Sequence, residues 1–201
     1  MTSREKILGQ VRAKRPAPAE LPALDNAWLS FADRYQQFAA TIESVGGRCV
    51  AVESLDQLNR ALDEISAYTS AKQIVSLVAG AGRANFDPNS VDDPHALASI
   101  DFAILPGQFG VAENGAIWVT DADLRHRAIY FIVQHLALVI PAEQILDNMH
   151  QAYERLSFPQ PSYGAFISGP SKTADIEQSL VIGAHGPRSL TVFCVCCAPG
   201  G

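Results

Sequence analysis

The chain has 201 residues, of which 48% are hydrophobic, so it can bury one substantial core and we expect one main domain. Its 15 basic and 21 acidic side chains give a net charge of −6, the opposite of the positive surface that binds nucleic acid phosphates. The sequence starts without an apolar signal segment and contains no run of about 18 apolar residues, which predicts a cytoplasmic protein that does not insert into a membrane.

The N-terminal segment differs from the rest of the chain. Thr2 and Glu5 have the spacing of a capping box, which predicts a first helix that ends near Lys14. The sequence that follows is rich in proline, a composition that favours an extended connection. We therefore divide the chain into residues 1–24, whose helix we expect to dock loosely or on a partner, and an α/β domain of residues 25–201.

The first half of the domain alternates helix and strand signals. A capping pattern at Ser30 and Asp33 predicts an amphipathic helix, which the glycines at 46 and 47 end. Ser54 and Gln57 have the same pattern and predict a second helix. Apolar runs predict strands at Arg48–Glu53 and Gln73–Ala79.

The second half adds a hairpin to further strands and helices. Phe109–Thr120 contains Asn114-Gly115, a favoured turn dipeptide, and predicts two antiparallel strands. Other apolar runs predict strands at Asp101–Leu105, Ala128–Val133, Leu136–Ile140, Ala165–Ser168 and Leu190–Val195. Helices are predicted at Glu143–Leu156 and Thr173–Leu180. This order predicts a layered α/β domain, a mixed sheet with helices on both faces.

The loop from Ser168 to Thr173 is a candidate binding site between a predicted strand and a predicted helix. The Ser171 and Thr173 hydroxyls and the Lys172 ammonium, together with free backbone N–H groups, suit an anion such as a carboxylate or phosphate. Gly169 lets the backbone approach that ligand. Alternatively, Ser171 or Thr173 only caps the helix. The glycine spacing differs from that of a Walker loop, so hydrolysis of nucleoside triphosphates is not predicted.

The stretch Ile167–Val192 resembles the C-terminal signature of the LUD-domain family, which includes lactate utilization proteins B and C. Its segments Gly-Pro-Ser-Lys-Thr-Ala-Asp-Ile-Glu and Gly-Ala-His-Gly-Pro both match that signature at the matching separation. Upstream, Gly110–Val119 is similar to a strand pair of the family that contains Gly-Val-Ala-Glu-x-Gly. The resemblance covers roughly residues 30–196, and the absence of a ferredoxin-type run of cysteines matches the short protein C type.

This resemblance implies a fold and a role. The fold is that of the ribose-phosphate isomerase, glucosamine-phosphate deaminase and CoA-transferase superfamily. The role is that of an accessory subunit beside the iron-sulfur lactate utilization proteins A and B, which oxidise L-lactate to pyruvate. The iron-sulfur clusters are expected in those partners, and no cofactor is expected on this chain.

Candidate chemical groups lie in both matching stretches. Glu113-Asn114-Gly115 resembles the segment that carries the nucleophilic glutamate of family I CoA-transferases, although Ala112 replaces the serine; alternatively, Asn-Gly simply closes the hairpin. His185 is a candidate general acid or base, and Arg188 could hold a carboxylate, although a loop histidine is often structural.

An arginine near the second hairpin strand is also implied by the resemblance. Arg125 or Arg127 is the candidate ligand-binding residue, and the sequence leaves the choice open. Gly80 and Gly82 follow a predicted strand, where open α/β sheets bind ligands. We expect the Gln73–Ala79 strand end, the Glu113 turn, the Ser168–Thr173 loop and the His185–Arg188 loop to meet in one cleft.

The cysteines and the functional alternatives complete the predictions. Cys194, Cys196 and Cys197 are interpreted as free thiols, and the histidine spacing predicts no metal site. Besides the accessory subunit, two other functions stay open. One is an independent enzyme acting on a phosphorylated or CoA-linked small molecule, and the other is a sensor of small carboxylates.

Overall fold

The computed structural model describes residues 2–16, 19–20, 27–156, 163–174 and 180–196. Its helices are α1 (Ser3–Ala13), α2 (Arg34–Ser44), α3 (Leu55–Asp63), α4 (Ser66–Thr69), α5 (Ile129–Ile132) and α6 (Met149–Arg155), with 3₁₀ turns at Pro94–Ser99 and Ala142–Gln144. Its strands are β1 (Arg48–Val52), β2 (Ile74–Ser76), β3 (Phe102–Pro106), β4 (Phe109–Val111), β5 (Ala116–Thr120), β6 (His135–Pro141), β7 (Ile145–Leu146), β8 (Gly164–Ile167), β9 (Lys172–Ala174), β10 (Leu180–Ile182) and β11 (Ser189–Val195).

A five-stranded parallel sheet forms the centre of the domain. Its strand order is β1-β11-β6-β3-β2, and His135 at the start of β6 pairs with Phe102 and Ser189 on its two sides. Successive side chains of a strand point to opposite faces of the sheet. Leu136 accordingly packs in the same cluster as α2, whereas Ala137 packs with α3. Helices therefore cover both faces of this sheet, as predicted.

A second sheet, ordered β7-β4-β5-β8, is mixed, because β4 pairs parallel with β7 whereas β5 pairs antiparallel with both β4 and β8. The predicted hairpin around Asn114-Gly115 is confirmed, because β4 pairs antiparallel with β5. One face of this sheet packs in the α2 cluster, and the other carries Phe109, Trp118 and Phe166 beside Ala152 of α6. A mixed sheet is therefore present, but the prediction that it is the one sheet of the domain was wrong, since the five-stranded parallel sheet is separate from it.

The chain passes between the two sheets at Gly107. The Gly107 N–H donates to the Val139 carbonyl of the parallel sheet at 2.9 Å, and the next N–H, of Gln108, donates to the Trp118 carbonyl of the second sheet at 2.8 Å. A Cβ at Gly107 would lie 2.7 Å from a side-chain carbon of Ile117. Only glycine fits this close crossing without displacing neighbouring side chains.

Local capping positions the helices much as the sequence predicts. Thr2 accepts a hydrogen bond from the Glu5 N–H, and Ser54 accepts one from the Gln57 N–H. The cap of α2 is Asp33 rather than Ser30, because its carboxylate accepts from the Gln36 N–H at 2.9 Å. Among the described residues, no helix is both long enough and apolar enough to cross a bilayer.

The helix predicted at Thr173–Leu180 was wrong at both of its ends. Lys172–Ala174 and Leu180–Ile182 form an antiparallel pair of strands in which Thr173 lies opposite Val181. Residues 175–179 lie outside the described residues. Extended pairing suits the β-branched residues at these positions and satisfies the backbone groups that a short helix would have left open.

Two other predicted elements were wrong in part. Ala128–Val133 is not a strand but contains the single helical turn α5, because a short apolar run does not by itself distinguish a buried strand from a buried helix. In Glu143–Leu156 the α-helix begins only at Met149. Ile145 pairs with Gly110 in the second sheet, and the Asn148 side chain then caps α6.

Candidate functional site

A cleft of about 300 Å³ lies between the loop after β8 and the loop before β11. Its polar side chains are Ser168, Ser171, Lys172 and His185. Its apolar wall includes Tyr130, Phe131, Phe166 and Leu190. This volume is at the lower end of the range for small-molecule sites, and the mixture of an apolar wall with a few polar groups is typical of them.

Backbone hydrogen bonds tie the two loops of the cleft together. The Ser171 N–H donates to the Pro187 carbonyl at 2.9 Å, and the Gly183 N–H donates to the Ser171 carbonyl at 2.8 Å. The loops cross closely at Gly186, where an added Cβ would lie 3.0 Å from the Cβ of Ser171 and 3.1 Å from the Phe131 carbonyl oxygen. The arrangement therefore holds Ser171 and His185 at one opening.

The first loop is also anchored on α2 and on the hairpin turn. Gly169 has φ +74°, and an added Cβ there would lie 2.7 Å from the Val45 carbonyl oxygen at the end of α2. The Ser168 hydroxyl donates to the Asn114 carbonyl at 2.8 Å. The loop that carries Lys172 is thus fixed on two sides before any ligand binds.

The charges of the cleft favour an anion. Lys172 and His185 are exposed, and no carboxylate is found among the described residues that line the cleft. Lys172 forms no ion pair with any of the residues that the structure describes. A lysine ammonium with hydroxyl groups beside it is a suitable partner for a carboxylate or phosphate oxygen.

The prediction that this loop leads into a helix, whose first turn would help to bind the anion or would be capped by Ser171 or Thr173, was wrong. Because Thr173 lies in β9, it does not cap a helix there, and neither does Ser171. The cationic side chain and the hydroxyl groups are therefore the features that make the cleft suitable for an anion.

The family model described as the LUD domain matches residues 91–195, which include β3, both cleft loops and β11. The chain belongs to the LUD domain family. A solved structure of a DUF162 family protein from Deinococcus radiodurans is similar in fold, with a TM-score of 0.65 and 23% sequence identity. The similarity covers 84% of this chain and 99% of that protein.

Three curated relatives of this LUD domain protein differ in how much of their length the chain matches. An uncharacterized protein of Neisseria meningitidis serogroup B is 23% identical over 97% of this chain and 94% of its own length. Lactate utilization protein C of Anoxybacillus flavithermus is 35% identical over 52% of this chain and 48% of its own length. Lactate utilization protein C of Oceanobacillus iheyensis is 30% identical over 47% and 43%, respectively. The match thus spans less than half of these two lactate utilization proteins.

Glu113 of the LUD domain lies beside the cleft loop, but its carboxylate contacts α6. The Glu113 Oε2 atom accepts a hydrogen bond from the Met149 N–H at 2.8 Å, and the Glu113 N–H donates to the Asp147 carbonyl. The next residue, Asn114, contacts the cleft loop, because its carbonyl oxygen accepts the hydrogen bond from the Ser168 hydroxyl. In this arrangement Glu113 satisfies an open donor at the start of a helix.

Arg188 lies in a different cleft from Lys172. It lines a polar opening of about 400 Å³ together with Asp101 and His135. The pKa of His135 is lowered, because burial disfavours the charged ring and because the positive charge of Arg188 repels it. The His135 Nδ1 atom is 2.8 Å from the Ser189 hydroxyl oxygen.

The two candidate arginines after the hairpin line a third cleft, of about 350 Å³. Arg125 forms an ion pair with Asp92 at 2.5 Å. The guanidinium of Arg127 lies over the Tyr163 ring, 4.8 Å from its centroid. Neither arginine lines the Lys172 cleft.

Gly80 and Gly82 also lie apart from the Lys172 cleft. Both have positive φ, as expected for glycines that turn the chain after a strand. An added Cβ at Gly82 would meet side chains of Ile104 and Leu62, which belong to the α3 face of the parallel sheet. The cleft uses Leu190, which packs on the opposite face. The prediction that all four segments meet in one cleft was therefore wrong for this segment.

The sequence did not identify the residues that form the apolar wall of the cleft or the residue that contacts its first loop from behind. Tyr130 and Phe131 come from the region expected to be a strand, and Val45 supports Gly169 from a helix distant in sequence. The one local signal was the run of apolar side chains in Ala128–Val133. Its role depends on α5 lying against the loop of Gly186.

A thiol pair lies on the same face of the sheet as the cleft. The Sγ atoms of Cys49 and Cys194 are 3.6 Å apart. The hydrogen bond from the Cys194 thiol lowers the pKa of Cys49 despite its burial, whereas the same interaction and burial raise the pKa of Cys194. Within the described residues, no group of three or more potential ligands is placed to hold a metal ion. Cys197 lies outside those residues.

Proposed function

We propose that this LUD domain protein is an accessory subunit of a cytoplasmic system that oxidises L-lactate to pyruvate, and that its cleft binds a small carboxylate. Family membership and the names of the relatives support the pathway. One observation carries the ligand class. The two halves of the family-like signature, around Lys172 and around His185, line the same anion-accepting cleft.

The cleft residues suit a hydroxy or keto acid. The Lys172 ammonium would form a charge-assisted hydrogen bond with the carboxylate, and the hydroxyls of Ser168 and Ser171 would reach a second polar group of the ligand. The His185 ring, on the other loop of the cleft, would form a hydrogen bond with the ligand. Conversion of lactate to pyruvate releases two electrons and two protons. We propose that the iron-sulfur clusters of lactate utilization proteins A and B accept these electrons.

Co-expression tests the proposed assembly. The full chain carrying an affinity tag would be produced together with lactate utilization proteins A and B, and the three proteins should be isolated as one complex that reduces an electron acceptor with L-lactate. In the source organism, loss of the gene should abolish growth on lactate and leave growth on glucose unchanged. Normal growth on lactate, together with the absence of a complex, would refute the accessory role.

Calorimetry with L-lactate and pyruvate tests the cleft separately from the assembly. Lys172→Ala should weaken binding roughly ten- to hundredfold, which corresponds to the loss of about 1.5–3 kcal/mol from a charge-assisted hydrogen bond. Lys172→Arg should keep most of the affinity. Lys72→Ala is the matched control, because Lys72 is also exposed but lies outside the cleft. Equal affinities for the wild type and Lys172→Ala would rule out a ligand at this position.

The alternative of an independent enzyme acting on a CoA thioester or a phosphorylated compound has less support. The Glu113 carboxylate, its candidate nucleophile, accepts a hydrogen bond from the Met149 N–H. Membership of the superfamily of ribose-phosphate isomerase and CoA-transferase also stays a proposal. Incubation with acyl-CoA donors followed by mass spectrometry distinguishes the functions, since a covalent adduct on Glu113 would favour the enzyme. Binding of lactate without any partner protein or turnover would favour a sensor.

A further inference from the structure

The N-terminal helix α1 exposes an apolar face. Ile7, Leu8 and Val11 are 59%, 36% and 64% exposed, and none of the residues of α1 is buried. The capping box of Thr2 and Glu5 fixes the start of the helix. The helix α1 has 11 residues, and isolated helices shorter than about 12–15 residues are only marginally stable in water. A surface that covers the apolar face would stabilise it.

Charge is strongly divided between this segment and the rest of the chain. Residues 1–16 contain five of the 15 basic side chains and one of the 21 acidic ones, so they carry a net charge of +4. The remaining residues then contain ten basic and 20 acidic side chains, a net charge of −10. The α/β domain is therefore electrostatically complementary to α1.

The domain carries an apolar groove that is also open. Its lining includes Trp28, Met149, His150, Tyr153 and Glu154, and its volume is about 440 Å³. The rings of Trp28 and His150 are stacked with their centroids 3.4 Å apart, which holds the groove wall in place. Tyr153 is 65% exposed although it is large and mostly apolar. Such a patch within a polar surface is typical of an interaction site.

The rim of the groove is acidic. Glu154 lines it directly, and the carboxylate of Glu113 is bound to the backbone of Met149 in its lining. A basic helix with three exposed apolar side chains therefore matches the groove in both charge and polarity. The groove begins at Trp28, only a short proline-rich connection away from the end of α1.

We propose that α1 of one copy of this protein docks in the Trp28 groove of a second copy, and that the second copy returns its own α1 in the same way. Within the single chain both surfaces stay uncovered, which favours docking between copies over docking within one. Reciprocal exchange of one element closes a two-fold symmetric dimer and leaves no free surface of either kind. The partner is thus a second copy of this chain.

Sedimentation of the full-length protein over a range of concentrations tests the exchange. The wild type should form dimers. Val11→Asp, which disables the helix, and Tyr153→Asp, which disables the groove, should each raise the dimer dissociation constant about tenfold or more. Both side chains are exposed, so the variants should keep the wild-type circular dichroism spectrum. Val181→Asp is the control, because Val181 is exposed in β10, outside the groove.

Mixing the two variants provides the sharper test. Each variant alone has one disabled surface on both copies, so no intact contact forms. A mixed pair, however, joins the intact helix of Tyr153→Asp to the intact groove of Val11→Asp, and the mixture should associate more strongly than either variant alone. A wild type that stays monomeric at all concentrations would overturn the proposal. A mixture that associates no better than its components would do so as well, because self-association through any other surface gives no complementation.

Discussion

Replacement of Gly169 by alanine tests whether the close contact between the cleft loop and α2 determines the shape of the cleft. Gly169 has φ +74°, and a Cβ added there would lie 2.7 Å from the Val45 carbonyl oxygen and 3.1 Å from the Val45 Cγ2 atom. That oxygen cannot easily retreat, because hydrogen bonds from the Val45 and Gly46 N–H groups hold the end of α2. The loop would have to move instead.

Two costs add up in this variant. An alanine in the left-handed region costs about 1–2 kcal/mol relative to glycine. Forcing a methyl group against backbone that cannot yield costs a further ~1–3 kcal/mol. We therefore expect Gly169→Ala to lower the free energy of unfolding by about 2–5 kcal/mol, and to weaken carboxylate binding because Lys172 moves with the loop.

Gly46→Ala is the matched control. Gly46 also has positive φ, +84°, but the nearest atom to an added Cβ is 3.7 Å away, which is an ordinary contact. This variant should lose only the left-handed cost of about 1–2 kcal/mol. Urea unfolding followed by circular dichroism gives both values. If the two variants lose equal stability, the contact between Gly169 and Val45 does not constrain the loop.

Three further predictions concern other parts of the chain. Burial raises the pKa of Asp147, but hydrogen bonds from the Phe31 N–H, Arg34 and Gln151 outweigh burial and hold the pKa below its ordinary value of 3.8. The ionised Asp147 therefore stabilises the fold above pH 3.8, and this stability is lost as the pH falls below that value. The loss of unfolding free energy in Asp147→Asn, measured by urea unfolding, should accordingly become smaller in acid. The Cys194 thiol lowers the pKa of Cys49, so an alkylating reagent should modify Cys49 before Cys194, and Cys194→Ala should slow the modification of Cys49. Peptide mass spectrometry measures both rates, and faster labelling of Cys194 would contradict this geometry. Deletion of residues 1–24 should leave a cooperative thermal transition, because α1 buries no side chain, and an insoluble product would show that this segment is part of the core.

The elements that the sequence predicted well are those determined by neighbouring residues. The caps of α1 and α3 depend on side chains three positions apart, and both form as predicted. The Asn114-Gly115 turn likewise closes the β4–β5 hairpin through its own backbone preferences. A hydrogen bond over a few residues needs no knowledge of the rest of the fold.

The wrong elements are those in which distant pairing overrides a local pattern. Glu143–Leu156 has helical spacing, but Ile145 finds a strand partner in Gly110, and the helix begins only at Met149. Lys172–Ala174 forms a strand because it pairs with Leu180–Ile182. The secondary structure of such a segment depends on which distant strand forms hydrogen bonds with its backbone, and that strand cannot be identified from the sequence of the segment alone.

The candidate site likewise has properties that the sequence determines and properties that only the tertiary structure determines. The sequence by itself identified the chemistry of Lys172, Ser171 and His185, because an ammonium, a hydroxyl and an imidazole are recognisable residue by residue. Which of the candidates share a cleft was decided by the tertiary structure. The parallel sheet separates Gly82 on its α3 face from the Lys172 cleft on the other, and Arg188 lines a separate opening with His135. A side chain's chemistry belongs to the residue, whereas its neighbours depend on how the packed sheets and helices divide the space between them.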